Sequence, residues 1–465
     1  MQLVHWIERL VPVDALVPEV YREWRPLVRD AMSFVISRMS TERLEAKITE
    51  QAQLPVGTSP EVRLTSLIRK MPGLQKLGQV LARNRHLDPA LRRELLTLEN
   101  GIRDVSFDEI RAVIESELGP LLADHGVQIE PGIFSEASVS AVVRFRYRDG
   151  NGVFKVLKPH IAGCFADDMR LLQELADYLS SDAPNYGLSG VNISETFADI
   201  RQLLEHEVKF DYERTNLAEA TGIFNEVRGV RVPQIIPGLC TRTVTAMTEE
   251  AGIKATDLSE LPPGTRRTIA RRLAEALLVA PLFSPSEEAL FHADPHAGNL
   301  LYDEARDTLV ILDWALTGRL SRSQRRQFSM LLVMLMLRDV EGAASAIRSL
   351  GEDYGRVRET TSIFLSDIPM YRIPGSLDAI RLLDRLAFQG VHFPAELLMF
   401  RKSVFTLDGV LHDVAGSEVG LDEVLAGSMP DRWPSLPLGP SDWAAILSSA
   451  SLYGTRLWLQ LLSRY

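Results

Sequence analysis

Asp294 is followed five residues later by Asn299, and fourteen residues further on Asp313 closes the apolar run of residues 309–312. An Asp, an Asn and a second Asp in that order suit phosphoryl transfer. One carboxylate orients the attacking nucleophile, while an amide oxygen and a second carboxylate hold a divalent metal on the phosphates. Asp294 therefore reads as the nucleophile-orienting residue, and Asn299 and Asp313 as metal ligands. The same stretch predicts the geometry that unites them. Residues 299–302 suit a short strand, residues 303–308 a polar turn and residues 309–312 a buried strand. Such a hairpin brings Asn299 beside Asp313. An isolated Asp-x-x-x-x-Asn is common by chance. The hairpin and its terminal Asp are what set this one against a polar loop beside an ordinary core strand.

A phosphate-binding lysine is the next requirement. Val139, Val142, Phe145 and Tyr147 carry strand-type residues, Arg148-Asp149-Gly150-Asn151-Gly152 signals a turn, and Val153-Phe154-Lys155-Val156-Leu157 follows as a second strand. Lys155 on that strand is placed to reach nucleotide phosphates if a helix carboxylate holds it. Glu213, on a helix downstream, is the candidate partner. Residues 133–142 precede the lysine by the length of a phosphate-covering hairpin. They are small, but no glycine follows Gly132, so the freedom of a Gly-rich loop is absent. His292 and His296 flank Asp294 at a spacing that zinc can use. No third ligand has sensible spacing, so structural or positioning roles are expected for both.

The chain has 465 residues, 46% hydrophobic and 24% charged, enough for two or three globular domains. A net charge of −11 excludes a broad basic field, and nucleic acid is not an expected partner. The two cysteines, Cys164 and Cys240, have no paired spacing, which fits a reducing compartment. Residues 1–10 are amphipathic and include Glu8, unlike a signal peptide. No uncharged apolar run reaches about 18 residues, so no membrane span is expected. Residues 328–337 and 443–455 come nearest.

Residues 14–118 read as helical, punctuated by Pro72-Gly73 and by Asp88-Pro89, with Asp88 as a helix cap. Residues 55–60 read as a linker. Residues 166–181 and 194–224 look helical, residues 230–247 return to strand character, and residues 265–282 form a helix with Ile269, Leu273, Leu277 and Ala280 on one face. The remainder after residue 313 is mostly helix. The expected fold is α+β: a bilobal protein-kinase-like fold with a helical N-terminal extension and a helical C-terminal segment. The divisions fall at 1–118 for the extension, 119–252 for the N-lobe, 253–430 for the C-lobe and 431–465 for the last helix.

Taken together, these residues resemble the UbiB/AarF family of atypical kinase-like ATPases over roughly residues 64–415. Lys76-Leu77-Gly78-Gln79 resembles its K-x-G-Q motif, and residues 86–96 the segment that follows it. Ala137-Ser138-Val139 resembles its Ala-rich loop, residues 153–159 the strand carrying the ATP lysine, and residues 207–216 its acidic helix motif at Glu207, Phe210, Glu213 and Asn216. Residues 291–299 resemble its catalytic loop. The resemblance implies ATP and Mg2+ as cofactors. It implies Asp294, Lys155 and Glu213 as catalytic residues, and Ala137, Ser138, Val139, Lys155 and Met247 as nucleotide contacts. It makes Lys76, Gly78, Gln79 and Glu207 the extension motif. It further implies ATPase or lipid-linked chemistry supporting ubiquinone biosynthesis or lipid homeostasis, with membrane lipids or quinone-pathway proteins as partners. The expected location is cytoplasmic, peripheral at the inner membrane face, with the helix of Trp443, Leu447, Leu452, Trp458 and Leu462 as the candidate contact.

The chain departs from the pattern at four places. Lys209 replaces an Asp, reverses a charge expected near Lys76, and is placed to compete with Lys155 for Glu213 at i, i+4. Ala315 replaces the Gly after the metal Asp, Ala297 the loop Pro, and Ala141 a Gln. Two alternatives stay open: a non-catalytic nucleotide- or lipid-binding regulatory pseudokinase, and a small-molecule phosphotransferase of the aminoglycoside/choline-kinase type.

Overall fold

The computed structural model describes residues 9–17, 19–82, 88–100, 104–182, 193–225, 227–348, 354–432 and 438–462. The amphipathic start at residues 1–8, and His86 and Leu87 of the motif segment, lie outside the described residues. The chain forms two compact units, Met1–Arg214 with Gln234–Glu249, and Thr215–Pro233 with Glu250–Tyr465.

In the first unit, α1 (Arg25–Arg38), α2 (Thr41–Gln53), α3 (Pro60–Ile68), α4 (Pro72–Ala82) and α5 (Pro89–Asn100) precede the sheet. Their starts follow local chemistry. Ser40 and Ser59 accept N–H groups at the heads of α2 and α3. Asp88 accepts from the Ala90 and Leu91 N–H groups at 2.8 and 3.2 Å, as its place before Pro89 predicts. The expected linker at residues 55–60 is instead a pinned turn. The buried Arg63 donates to the Gln51 carbonyl at 3.2 Å and the Pro55 carbonyl at 3.3 Å.

Helix α6 (Phe107–Leu118) carries a Ser106/Glu109 capping box and buries Ile110, Ile114 and Leu118. Beside it lie β1 (Gln128–Ile129), β2 (Ser135–Glu136), β3 (Ser140–Tyr147) and β4 (Gly150–Leu157). Strand β5 (Val230–Arg231) belongs to the second unit, and β6 (Val244–Thr248) returns to the first. The sheet order is β1-β3-β4-β6, with β2 on β3, all antiparallel. Opposite Phe145 stands Gly152, where a Cβ would come within 2.4 Å of the Phe145 ring. That close approach lets Phe145 stack on Phe154 at 4.0 Å. Helices α7 (Pro159–Asp182) and α8 (Ile193–Val208) follow, then α9 (Phe210–Phe224), which crosses the unit boundary. The run expected as one helix over residues 194–224 is thus two, broken at Lys209.

The second unit holds β7 (Ile253–Lys254), α10 (Pro263–Ala274), a π-helical turn (Glu275–Val279), and β8 (Glu288–His292), β9 (Leu300–Asp303), β10 (Thr308–Ile311) and β11 (Thr317–Ser321). Strands β5-β10-β9-β7 form one sheet, and β8 pairs with β11. Then come α11 (Arg322–Met336), α12 (Val340–Arg348), α13 (Tyr354–Asp367), α14 (Ser376–Phe388), α15 (Ala395–Ala415), α16 (Leu421–Arg432) and α17 (Pro440–Leu462). No helix among the described residues is long and apolar enough to cross a membrane.

Candidate functional site

The predicted hairpin forms as β9 and β10, with Leu300 opposite Ile311. Asn299 falls in a short turn before β9 rather than in the strand. Its carbonyl accepts the Leu312 N–H at 2.7 Å, which sets Asn299 next to the residue preceding Asp313. The Asn299 side-chain Nδ2 donates to the Asp294 carbonyl at 3.4 Å, so its Oδ1 is the atom left to face a cation. Asp313 Oδ1 accepts the Ala315 N–H at 3.2 Å. The donor set of a carboxylate and an amide oxygen suits magnesium, which takes few protein ligands and completes its shell with phosphates and water. Among the described residues no cluster of three or more His, Cys, Asp or Glu side chains is arranged to hold a metal by itself.

Backbone geometry accounts for the Ala315 departure. The positive φ of this segment, 53°, falls on Asp313 itself, and Ala315 has no positive φ. Asp tolerates the left-handed region better than most side chains, so a glycine two residues on is not required.

The two histidines shape the loop. His292 Nδ1 accepts the Asp294 N–H at 3.2 Å and its Nε2 donates to the Leu312 carbonyl at 3.0 Å. Burial pushes the His292 imidazole below its usual range, which keeps it neutral in that role. His296 Nδ1 accepts the Gly298 N–H at 3.1 Å. Behind Asp313, the buried Asn216 donates to the Trp314 carbonyl at 3.2 Å and accepts from Arg319 at 3.3 Å. Two residues from α15 also reach the loop. Ser403 Oγ donates to the His292 carbonyl at 2.7 Å, and Lys402 Nζ lies 3.5 Å from Asp294 Oδ1. Neither residue carries a motif that sequence reading could have found.

In the first unit, Lys155 Nζ lies 2.7 and 2.8 Å from the two Glu213 oxygens, with Glu213 only 3% exposed. The ammonium also sits 5.7 Å from the Phe210 ring centroid. Lys209 does not compete for Glu213. Its carbonyl accepts the Glu213 N–H at 3.2 Å at the head of α9, while its ammonium turns back to pair with Glu205 at 3.7 Å. Nor does it displace the extension: Lys76 is ion-paired with Glu207, whose other oxygen accepts from Ser138 Oγ at 3.1 Å. Gly78 lets α4 approach α5, since a Cβ there would lie 2.9 Å from Leu98 Cδ1. Gln79 Nε2 donates to the Leu98 carbonyl at 2.7 Å. Ala137, Ser138 and Val139 form the β2–β3 turn, closed by the Ala137 N–H to the Ser140 carbonyl at 2.8 Å. Ser138 and Val139 are both buried. Met247 is half-buried on β6, opposite Val153.

An antiparallel sheet carrying a lysine–glutamate pair, together with an Asp/Asn/Asp hairpin set among helices, defines a kinase-like α+β protein. The model of the ABC1 atypical kinase-like domain matches residues 97–347, more than half of the chain, and the chain belongs to this UbiB/AarF family. It is 24% identical over 401 residues to the "Probable protein kinase UbiB" of Tolumonas auensis, covering 83% of this chain and 73% of that one. It is 25% identical over 378 residues to the "Uncharacterized protein in hydrogenase 1 5'region" of Clostridium pasteurianum, covering 79% and 70%. Five further curated relatives are spanned over only 50% to 60% of their own length, and another over 76%. Among solved structures, the Rv3197–erythromycin complex from Mycobacterium tuberculosis superposes with a TM-score of 0.53 at 15% identity. It covers 86% of this chain and 100% of that one, which shows a shared fold.

Proposed function

We propose that this chain is a Mg-ATP-dependent atypical kinase or ATPase of the UbiB/AarF type, serving isoprenoid-quinone biosynthesis or lipid homeostasis rather than protein phosphorylation. The observation that carries the reading is the bidentate Lys155–Glu213 pair in a chain whose Asn299 and Asp313 are brought together by one hairpin. Lys155, fixed by Glu213, holds the phosphates. Asn299 and Asp313 are the residues that would hold magnesium, which supplies positive charge to the phosphate oxygens. Asp294 accepts the proton of the attacking hydroxyl or water. The new bond forms from that oxygen to the γ-phosphorus, and the bond to the bridging oxygen breaks with its electron pair leaving on ADP.

The membrane contact belongs to the same proposal. Helix α17 is fastened by Arg326 to Asp442 at 2.6 and 2.7 Å, yet Leu447 and Leu452 remain 69% and 58% exposed. Exposed leucines on an anchored helix suit contact with a lipid interface. The side chains of Trp458 and Leu462 lie outside the described residues.

A regulatory, non-catalytic reading has one observation in its favour. Glu207 engages both Lys76 and Ser138, so the extension helix and the nucleotide-loop turn are tied to one carboxylate.

The test is ATP hydrolysis by the purified chain with magnesium, with and without anionic liposomes, and with Asp313→Asn as control. The expected result is liposome-stimulated turnover that falls by about 10²–10³-fold in the variant, the usual cost of one positioned electrostatic contact. Undiminished turnover in Asp313→Asn overturns the assignment. Nucleotide binding without turnover in the wild type moves the reading to the regulatory form.

A further inference from the structure

We propose that Lys402 is a positioning residue for Asp294, holding the carboxylate on the nucleophile during phosphoryl transfer. The inference rests on the phosphoryl-transfer reading above and extends it to a helix that carries none of its motifs.

The geometry begins with the way α15 meets β8. Phe400 is fully buried, its ring edge-on to Phe291 at 5.3 Å and to Phe328 at 5.6 Å. One turn on, Ser403 is 2% exposed and donates to the His292 carbonyl at 2.7 Å. Residues three apart share a helix face, so Phe400 and Ser403 together lock that face to residues 291 and 292. Lys402, the residue before Ser403, is 36% exposed at its side chain, and its ammonium comes within 3.5 Å of Asp294 Oδ1. Its neighbour Arg401 points elsewhere and pairs with Asp384 on α14. A ring contact, a hydrogen bond and an ion pair thus tie residues 291 and 292 at the end of β8, and 294 in the loop after it, to residues 400, 403 and 402.

A cation so held does two things for a carboxylate that must accept a proton from an incoming hydroxyl. It fixes the side-chain rotamer, so one oxygen is presented in a single direction. It also places a positive charge beside the point where the γ-phosphoryl charge spreads in the transition state, where preorganised donors act most strongly. Lys402 itself forms and breaks no bond.

The test compares Lys402→Met, Lys402→Arg and Arg401→Gln in the full chain, reading kcat, KM for Mg-ATP, nucleotide Kd and Tm. Lys402→Met is expected to lower kcat by about 10²-fold with KM, Kd and Tm close to wild type. Lys402→Arg should recover part of the loss, and Arg401→Gln should keep wild-type kcat. Unchanged kcat in Lys402→Met overturns the proposal. So does a loss that tracks a fall in Tm, is equalled by Arg401→Gln, or appears in KM alone. Absence of turnover in the wild type removes the phosphoryl-transfer reading and this proposal together. An active wild type with an unaffected Lys402→Met removes the proposal only.

Discussion

Both oxygens of Glu213 grip the Lys155 ammonium, at 2.7 and 2.8 Å, from a carboxylate that is 3% exposed. Two hydrogen bonds to one ammonium fix the lysine's direction as well as its charge. Glu213→Ala removes both of these hydrogen bonds from a largely buried ammonium. Breaking a buried pair from one side costs about 3–5 kcal/mol, so a large drop in the urea midpoint is expected, with weakened ATP binding by calorimetric titration. If both are unchanged, the pair has neither role.

At Asp313 the side chain and the backbone make separate demands. Its φ of 53° is costly for most L-residues and tolerated by Asp and Asn. Asp313→Asn should therefore lose turnover while keeping its stability. Asp313→Ala should lose turnover and also about 1–2 kcal/mol of stability. Urea unfolding of the two variants side by side reads the difference, and equal midpoints would show that the left-handed conformation carries no such cost.

Burial, with the Lys158 ammonium as the next cause, pushes the His160 imidazole down to about 4. Its folded value lies below the unfolded one near 6.5, so the unfolded chain takes up the proton first as the pH falls. The stabilising contribution is complete above about pH 6.5 and is lost as the pH drops toward 4. His160→Gln should flatten the decline of Tm across that window. A decline as steep as that of the wild type would assign the acid sensitivity to other groups.

Gly318 on β11 faces Phe291 on β8, and a Cβ there would stand 2.3 Å from Phe291 Cζ. The ring cannot retreat, because it is 1% exposed and packed edge-on against Phe400. Gly318→Ala should cost about 1–3 kcal/mol by overpacking. It should also depress kcat, since Phe291 leads directly into the loop of Asp294. A wild-type Tm in this variant would mean that the two strands can move apart freely.

The hairpin around Asp294, Asn299 and Asp313 was legible because everything that makes it is local. An apolar run, a polar turn and a short strand follow one another within a few residues, and backbone pairing does the rest. Lys155 was legible on the same terms: Arg148-Asp149-Gly150 fixes the turn, and alternation fixes the strand. The helix cap at Asp88 was equally within reach of short-range chemistry.

Lys209 shows where local rules stop. Helical spacing pointed it at Glu213, four residues on, but the side chain turns back to Glu205, four residues before. The ion pairs Lys155–Glu213 and Lys76–Glu207, the shared use of Glu207 by Ser138, and the clasp of α15 on residues 291, 292 and 294 all join residues far apart in the chain. Periodicity and turn chemistry determine which elements form and which residues they carry, because those preferences are set within one or two turns of backbone. Which charged groups then meet depends on helix breaks, strand register and the angle at which one element packs on another. For Glu213, Glu207 and Lys402, those are properties of the folded whole.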